Sequence, residues 1–160
     1  MTTKIYVASS WRNQYQPEVV RRLRAEGFAV HNVYEGGKPV PDDHNFDWAR
    51  VGCPPEKTFP SPEKYRDALR HPIAVDGFNK DMAALKDCDV CVLVLPCGRS
   101  AHLEAGWAAG AGRLVLTLVP EPIEPELMYS MFKNVFTNID ELIKEFRWLY
   151  EKPDPALKAR

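Results

Sequence analysis

The sequence has no long run of apolar residues. None approaches the roughly 20 residues that a helix needs to cross a bilayer. The first residues, MTTKIYVASSWRN, also lack the apolar core of a secretory signal peptide. We therefore expect a cytoplasmic protein with no membrane partner.

An excess of charge of either sign is also missing. Lys and Arg together number 21 and Asp and Glu number 22, so the formal net charge is -1. A chain without a basic field is poorly suited to hold a phosphate polymer. We expect no nucleic-acid polymer as a partner.

Cysteine is scarce, with four residues: Cys53, Cys88, Cys91 and Cys97. Disulfides are not expected in a reducing cytoplasm. Cys88 and Cys91 have the CxxC spacing of some zinc and redox sites, but Cys91 falls inside an apolar run and no second ligand pair follows. The sequence therefore predicts buried thiols, and neither a bound metal nor a cofactor.

What the sequence does contain is an alternation of strand and helix patterns over 160 residues, the length of about one domain. Strands are predicted at 4–8, 28–33, 89–96, 114–119 and 135–136. Helices are predicted at 17–27, 76–87, 103–112 and 139–150.

This alternation is typical of the α/β class, in which right-handed crossovers place helices on both faces of a parallel sheet. We predict a single-domain flavodoxin-like three-layer sandwich whose parallel five-stranded sheet has the order 2-1-3-4-5. It would occupy residues 1–150, with a frayed tail at 151–160.

A proline-rich stretch interrupts the pattern at about 34–62. Phe46, Trp48 and Phe59 lie in it, whereas disordered segments are poor in aromatic residues. Because so long a loop within a compact domain commonly has a function, we interpret it as a lid over a pocket, with subunit contacts as the alternative.

In open parallel sheets, ligands bind beyond the carboxyl ends of the strands where the strand order reverses. Here that point lies between strands one and three, so residues 9–13 and 96–104 should meet. Gly98 permits a tight turn, Ser100 is a suitable N-cap, and Glu104 is expected in the first turn of the following helix. Glu104 could act chemically or merely complement the helix dipole.

Hydroxyl and guanidinium groups surround these predicted helix starts. Together with backbone N–H groups they suit the phosphate of a 5'-monophosphate. Solvated surface charges are the alternative for the two arginines. The candidate substrate-binding residues are Ser9, Ser10, Arg12, Gly98, Arg99 and Ser100.

Aromatic side chains could also stack on a nucleobase. Trp11, Trp48 and Trp107 are the candidates, although at least one should belong to the core. His102 is a weaker candidate, because it lies on a different side of the helix from Glu104.

Several short motifs, in this order and spacing, resemble the nucleoside 2-deoxyribosyltransferase-like superfamily, which includes nucleoside 5'-monophosphate N-glycosidases. The resemblance covers residues 4 to about 128. The motifs are Ile5-Tyr6-Val7-Ala8, Asn79-Lys80-Asp81, Cys88-Asp89, Gly98 and Glu104-Ala105-Gly106. Pro96, Gly98 and Glu104 also resemble a motif of cytokinin-activating phosphoribohydrolases, which cleave the same type of C–N bond.

The resemblance implies that Glu104 is the nucleophile that attacks the anomeric carbon of a nucleoside or nucleotide. A carboxylate that forms a glycosyl ester needs no metal. It also implies that Tyr6, at the end of the first strand, orients Glu104. Asp81 would contact the sugar or the leaving base and help to protonate its nitrogen.

Two positions depart from the superfamily. The transferases carry an aspartate about six residues before the nucleophile, where this chain has Gly98. Their Asn-Leu-Met segment, donated by a partner subunit, has Glu126-Leu127-Met128 as its nearest counterpart. The role of that asparagine therefore cannot be carried over.

The expected activity is cleavage of an N-glycosidic bond, by hydrolysis or by transfer to a second base, in a small-molecule nucleoside or nucleotide. NAD is a further candidate substrate. A nucleotide-binding or sensing module without catalysis is the alternative. The nearly bare helix face at Gly106 and Gly110, with the superfamily's habit of completing sites across subunits, implies a homodimer or larger homo-oligomer.

Overall fold

The computed structural model describes residues 2–10, 12–31, 34–35, 38–39, 46–54 and 57–150. The main sheet contains β1 (Lys4–Ala8), β2 (Ala29–His31), β3 (Val90–Val94), β4 (Leu114–Leu118) and β5 (Asn134–Phe136). The helices are α1 (Gln16–Ala25), α2 (Pro62–Leu69), α3 (Pro72–Asp87), α4 (Arg99–Gly110) and α5 (Ile139–Tyr150). Two short 3-10 helices, Trp48–Val51 and Leu127–Met131, and a hairpin of Tyr34–Glu35 with Lys38–Pro39 lie outside the main sheet.

All pairs in the main sheet are parallel, and the strand order is β2-β1-β3-β4-β5. The predicted α/β class and the order 2-1-3-4-5 are confirmed. β3 is buried along its whole length, as a central strand covered by helices on both faces must be. The predicted tail at 151–160 lies outside the described residues.

The sheet separates two hydrophobic clusters. On one face, Ile5 and Val7 of β1 pack with residues of α1 and α5. On the other face, Tyr6 and Ala8 pack with residues of α3 and α4. Because side chains alternate along a strand, β1 contributes to both layers, and Tyr6 projects toward α3 and α4.

The proline-rich stretch contains more regular structure than a loop. α2 begins inside it, where the Ser61 hydroxyl accepts a hydrogen bond from the backbone N–H of Lys64 at 3.3 Å and Pro62 occupies the first turn. Proline is favoured at that position because its missing N–H has no helical partner there. The predicted helix at 76–87 likewise begins earlier, at Pro72.

The aromatic residues of this stretch pack on one another. The Trp48 ring lies 4.8 Å from Phe46, 5.9 Å from Phe59 and 5.7 Å from Tyr65, measured between ring centroids. The cluster explains why a proline-rich segment contains large apolar side chains. Residues 36–37, 40–45 and 55–56 of the proposed lid lie outside the described residues.

Two expectations about α4 are wrong. Gly98, not Ser100, is its N-cap, so Ser100 falls inside the first turn. The helix therefore begins earlier than predicted, and Glu104 lies in the second turn rather than the first.

Candidate active site

Three predicted catalytic residues meet on the α3 and α4 side of the sheet. The Tyr6 hydroxyl lies near enough to the Glu104 carboxyl group to lower its pKa as a hydrogen-bond donor. Asp81 of α3 is near enough to raise the pKa of both groups. Tyr6 is only 2% exposed and lies in the middle of β1, not at the strand end, where the sequence analysis placed it.

The Glu104 carboxyl has a perturbed acidity. Burial, and then the negative charge of Asp81, raise its pKa to about 7, while the hydrogen bond from Tyr6 acts in the opposite direction. Two carboxyl groups in one partly desolvated site cannot both ionise freely. The pair can therefore hold one proton near neutral pH.

Three titratable groups near Glu104, the Tyr6 phenol and the thiols of Cys91 and Cys97, remain neutral. Burial is the main cause that raises the pKa of the Tyr6 phenol, so the hydroxyl keeps its proton and stays a donor. Burial also raises the pKa of the Cys91 thiol, and it raises that of Cys97 to about 12 with a smaller contribution from Glu104. The Tyr6 phenol and the thiols of Cys91 and Cys97 are therefore neutral groups near Glu104.

A cleft of about 420 Å³ lies beyond the carboxyl ends of β1 and β3, where the sheet's strand order reverses. This volume falls within the range of small-molecule sites. The lining residues are Ser10, Arg12, Asn13, Gln14, Pro96 and Cys97. Cys97 lines the cleft and lies near enough to Glu104 for the charge of that carboxylate to raise the pKa of its thiol.

Of the predicted substrate-binding residues, Ser10 and Arg12 line this cleft. Ser9 lies beside them, but its hydroxyl donates to the Val94 carbonyl at 2.8 Å. Ser9 therefore has only its lone pairs to offer a ligand, whereas an anion requires donors.

The other three predicted binding residues form a separate group. Gly98, Arg99 and Ser100 lie at the start of α4, and all three are exposed. They do not line the cleft themselves, although Gly98 directly follows its Cys97.

Asn13 was not selected from the sequence, yet it holds the two loops together. Its amide nitrogen donates to the carbonyls of Val94 at 3.1 Å and Pro96 at 2.9 Å. Its amide oxygen accepts from the N–H groups of Tyr15 at 2.7 Å and Gln16 at 3.0 Å. The local signal was an asparagine just before a helix, a common capping residue.

His102 is held away from a base-binding role. Its Nδ1 lies 2.8 Å from the Gly98 carbonyl, which can only accept, so Nδ1 carries the proton. Nε2 then accepts from the Tyr129 hydroxyl at 2.7 Å. Both ring nitrogens therefore have protein partners.

The tryptophans are placed away from the cleft or are not described. Trp48 belongs to the aromatic cluster, and Trp107 is exposed on α4. Neither lines the cleft. Trp11 lies outside the described residues.

The CxxC cysteines are both buried, and the Cys88 thiol donates to the Leu85 carbonyl at 3.1 Å. In the described part of the chain, no group of three or more His, Cys, Asp or Glu side chains could hold a metal ion. The helices described there include none with the length and apolar character needed to span a membrane.

No family model matches the chain, and no curated protein matches it in sequence. A 2-deoxyribosyltransferase from Bacillus psychrosaccharolyticus matches in structure with a TM-score of 0.54 and 20% identity, over 97% of this chain and 95% of that chain. A conserved protein from Enterococcus faecalis V583 matches with a TM-score of 0.55 and 13% identity, over 93% and 99%. The CMP N-glycosidase BcmB of Clostridium botulinum matches with a TM-score of 0.46 and 14% identity, over 90% and 98%.

The first two likenesses extend over nearly the whole of each chain. The chain therefore has a flavodoxin-like α/β fold. More particularly, it shares that fold with a 2-deoxyribosyltransferase, as its motifs predict.

Proposed function

We propose that this chain cleaves the N-glycosidic bond of a small nucleoside or nucleoside 5'-monophosphate through Glu104, by hydrolysis or by transfer of the (deoxy)ribosyl group. The observation that carries the proposal is the placement of Tyr6, Asp81 and Glu104 as one interacting group on one face of the sheet. The shared fold with a 2-deoxyribosyltransferase supports it.

In the proposed reaction, a Glu104 carboxylate oxygen attacks the anomeric carbon as the C–N bond breaks. The bonding electron pair leaves with the base, and Asp81 donates a proton to the base nitrogen. Asp81, now ionised, then takes a proton from water or from the N–H of a second base as that nucleophile attacks the same carbon and releases the Glu104 carboxylate. Because the nucleophile is a carboxylate, the cycle requires no metal or cofactor.

The division of roles follows from the hydrogen bond. The Tyr6 hydroxyl donates to Glu104, which favours the ionised form of that carboxyl group. In the reacting form of the pair we therefore assign the anion to Glu104 and the transferable proton to Asp81, although below about pH 7 the shared proton lies on Glu104 in the ligand-free site. A pair of carboxyl groups that shares one proton is suited to acting as nucleophile and acid together.

We assign the phosphate subsite to Ser10 and Arg12 in the cleft, extended by Gly98, Arg99 and Ser100 at the start of α4. The backbone N–H groups of a helix N-terminus and an arginine side chain both favour a phosphate dianion. The cleft meets the Glu104 side at Cys97. A nucleotide would then extend from Arg12 toward Glu104.

We also propose that the chain forms a homodimer through the outer face of α4. Leu103 is 75% exposed and Trp107 is 36% exposed. Among the described residues, a Cβ atom built on Gly106 or Gly110 meets nothing within 4 Å, so packing within that part of the chain does not explain either glycine. These four residues recur at helical spacing and form one stripe: Leu103, Gly106, Trp107 and Gly110.

Light scattering tests the proposed dimer. Wild type should give twice the chain mass, and Leu103→Glu should give the mass of one chain.

The test of the activity is chromatographic detection of free base. Wild type, Glu104→Gln and Glu145→Gln would be incubated with ribo- and deoxyribonucleosides, their 5'-monophosphates and NAD, each with and without an acceptor base. Glu145 is the matched control because it lies on α5, across the sheet from the site.

We expect release by wild type and Glu145→Gln, and a loss of about a thousandfold or more in Glu104→Gln. Dependence of product on the acceptor base would indicate transfer. Unchanged release by Glu104→Gln would exclude Glu104 as the nucleophile. Calorimetric binding of a nucleotide that stays intact would instead favour the sensing module.

A further inference from the structure

The ring of His31 lies face to face with the ring of Tyr6. The two ring centroids are 5.4 Å apart, and the ring planes differ by 16°. His31 is the last residue of β2, and it is in register with Tyr6 on β1. Residues paired across neighbouring strands project to the same face of a sheet, so His31 belongs to the layer that contains Glu104.

The opposite side of Tyr6 is also occupied. Cys91 on β3 is in register with Tyr6, and its thiol is near enough to influence the pKa of the phenol. The Tyr6 ring therefore stands between an imidazole ring from one neighbouring strand and a thiol from the other. These neighbours limit the directions that the Tyr6 hydroxyl can take.

Burial alone would not require an aromatic residue at the end of β2. β2 is an edge strand, and His31 is only half-buried. An aliphatic side chain would cover Tyr6 as well as His31 does, but a flat ring parallel to Tyr6 also limits tilting of the phenol. The contact acts on Tyr6, the residue whose hydroxyl reaches Glu104.

We infer that His31 is a positioning residue of this site, whose ring keeps the Tyr6 hydroxyl on the Glu104 carboxylate. Its effect on turnover rests on the proposed function, whereas its effect on the Glu104 hydrogen bond does not. His31 acts through Tyr6 and is not assigned a contact with substrate or a proton-transfer step.

The pH at which Glu104 titrates is a measurement that a purely structural role of His31 would leave unchanged. The pKa of Glu104 responds to Tyr6 from β1 and Asp81 from α3, and Glu104 in turn raises the pKa of the thiols of Cys91 on β3 and Cys97 in the turn before α4. Among these, the Tyr6 hydrogen bond lowers the pKa of Glu104. A looser Tyr6 should therefore displace the Glu104 titration toward higher pH.

The experiment compares His31→Ala and His31→Phe with wild type. Phenylalanine keeps a flat ring but has no ring nitrogen. The readouts are kcat and KM for base release, the pH dependence of kcat/KM, and the carboxyl-carbon NMR titration of Glu104, with its signal identified by loss in Glu104→Gln.

For His31→Ala we expect kcat to fall roughly tenfold while KM stays within about twofold, because a reacting group is misplaced and substrate binding is not. Its Glu104 titration should move toward higher pH, in the direction given by Tyr6→Phe. His31→Phe should restore both properties nearly to wild type.

Val30→Ala supplies the control for disturbance of β2. Val30 packs against the α1 and α5 cluster on the opposite face, so its loss should leave the Glu104 titration in place. A His31→Ala protein with wild-type titration and kcat would overturn the inference. So would a His31→Phe protein as impaired as His31→Ala, since the imidazole nitrogens would then be required. If no nucleoside or nucleotide is cleaved, the proposed function fails, and the NMR titration still decides the role of His31.

Discussion

A Cβ atom built on Gly77 would lie 2.9 Å from the Cβ of Phe46 and 3.3 Å from its Cγ. Glycine therefore allows the segment that begins at Phe46 to lie directly against α3. Gly77 precedes Asp81 by four residues, about one helical turn, so the two lie on the same side of the helix. The contact therefore places Phe46 about one helical turn from Asp81, the candidate proton donor.

The first prediction is that Gly77→Ala destabilises the protein. Alanine favours a helix over glycine by about 1 kcal/mol, but overpacking typically costs about 1 to 3 kcal/mol. The clash involves the first side-chain atom of Phe46, so a rotamer change cannot relieve it. We expect a net loss of about 1 kcal/mol in the free energy of unfolding, measured in urea.

Gly106→Ala in the single-chain Leu103→Glu background is the matched control, because its added Cβ meets nothing within 4 Å and the proposed dimer contact is absent there. With only the helix preference acting, it should stabilise the protein by up to about 1 kcal/mol. Equal stabilisation by both variants would show that a Cβ atom at position 77 does not clash with Phe46.

The sequence predicted the sheet well because its signals are local. β3 is a continuous apolar run bounded by Asp89 and Pro96, and such a run fits a strand buried on both faces. The alternation of strands and helices then left few strand orders to consider. By contrast, α2 was missed because prolines around it indicated a loop, although Ser61-Pro62 is itself a helix-start signal.

The candidate site likewise contains residues that the sequence predicted and residues that it did not. Glu104, Asp81 and Tyr6 were selected through the order of their motifs, and the fold brings them together. His31 and Asn13 were not selected, since a ring stack across strands and hydrogen bonds between distant loops leave no pattern in the neighbouring sequence.

The second prediction concerns Asn13, which is 5% exposed and uses both its amide nitrogen and its amide oxygen. Asn13→Asp replaces two donated hydrogen bonds with a carboxylate oxygen facing the carbonyls of Val94 and Pro96. The Val94 carbonyl keeps the Ser9 hydroxyl as a donor, so the main loss is the buried side-chain oxygen at position 13, which faces two acceptors and has no donor. A buried polar group left unsatisfied in this way costs about 1 to 3 kcal/mol. We expect the free energy of unfolding at pH 7 to fall by about that amount.

Asn138→Asp separates this effect from helix capping. The Asn138 side-chain oxygen accepts from the Glu141 N–H at 3.0 Å at the start of α5. Aspartate keeps that acceptor, so the variant should stay within about 0.5 kcal/mol of wild type. A similar loss in both variants would contradict the assigned role of the Asn13 amide nitrogen.

The third prediction is that the Cys97 thiol reacts slowly and that the charge of Glu104 slows it further. Because the thiolate is the reactive form, a pKa near 12 should make alkylation by iodoacetamide slow at pH 8. Glu104→Gln removes a negative charge that raises this pKa, so it should accelerate Cys97 labelling, measured by peptide mass spectrometry. Glu145→Gln should leave the rate unchanged. An unaltered rate in Glu104→Gln would place Glu104 too far from Cys97 to influence it.

The fourth prediction concerns the stability cost of the Glu104 carboxylate. Its pKa of about 7 in the folded protein exceeds the ordinary value of 4.5. Below pH 4.5 the group is protonated in both the folded and the unfolded chain, and its contribution to stability is fully present. As pH rises toward 7, the unfolded chain ionises first, so that contribution is lost.

Glu104→Gln should remove this pH dependence. Relative to wild type, its free energy of unfolding should be nearly equal at pH 4 and higher at pH 8 by at most about 3.5 kcal/mol, since each pKa unit corresponds to about 1.4 kcal/mol. Partial exposure of the side chain reduces this gain.

Urea denaturation of wild type, Glu104→Gln and Glu145→Gln at both pH values measures this gain in stability, and Glu145→Gln should show no comparable gain at pH 8. A Glu104→Gln protein less stable than wild type at pH 8 would mean that the carboxylate stabilises the fold. A gain confined to high pH, together with loss of turnover, would identify Glu104 as a group that lowers stability and is required for activity.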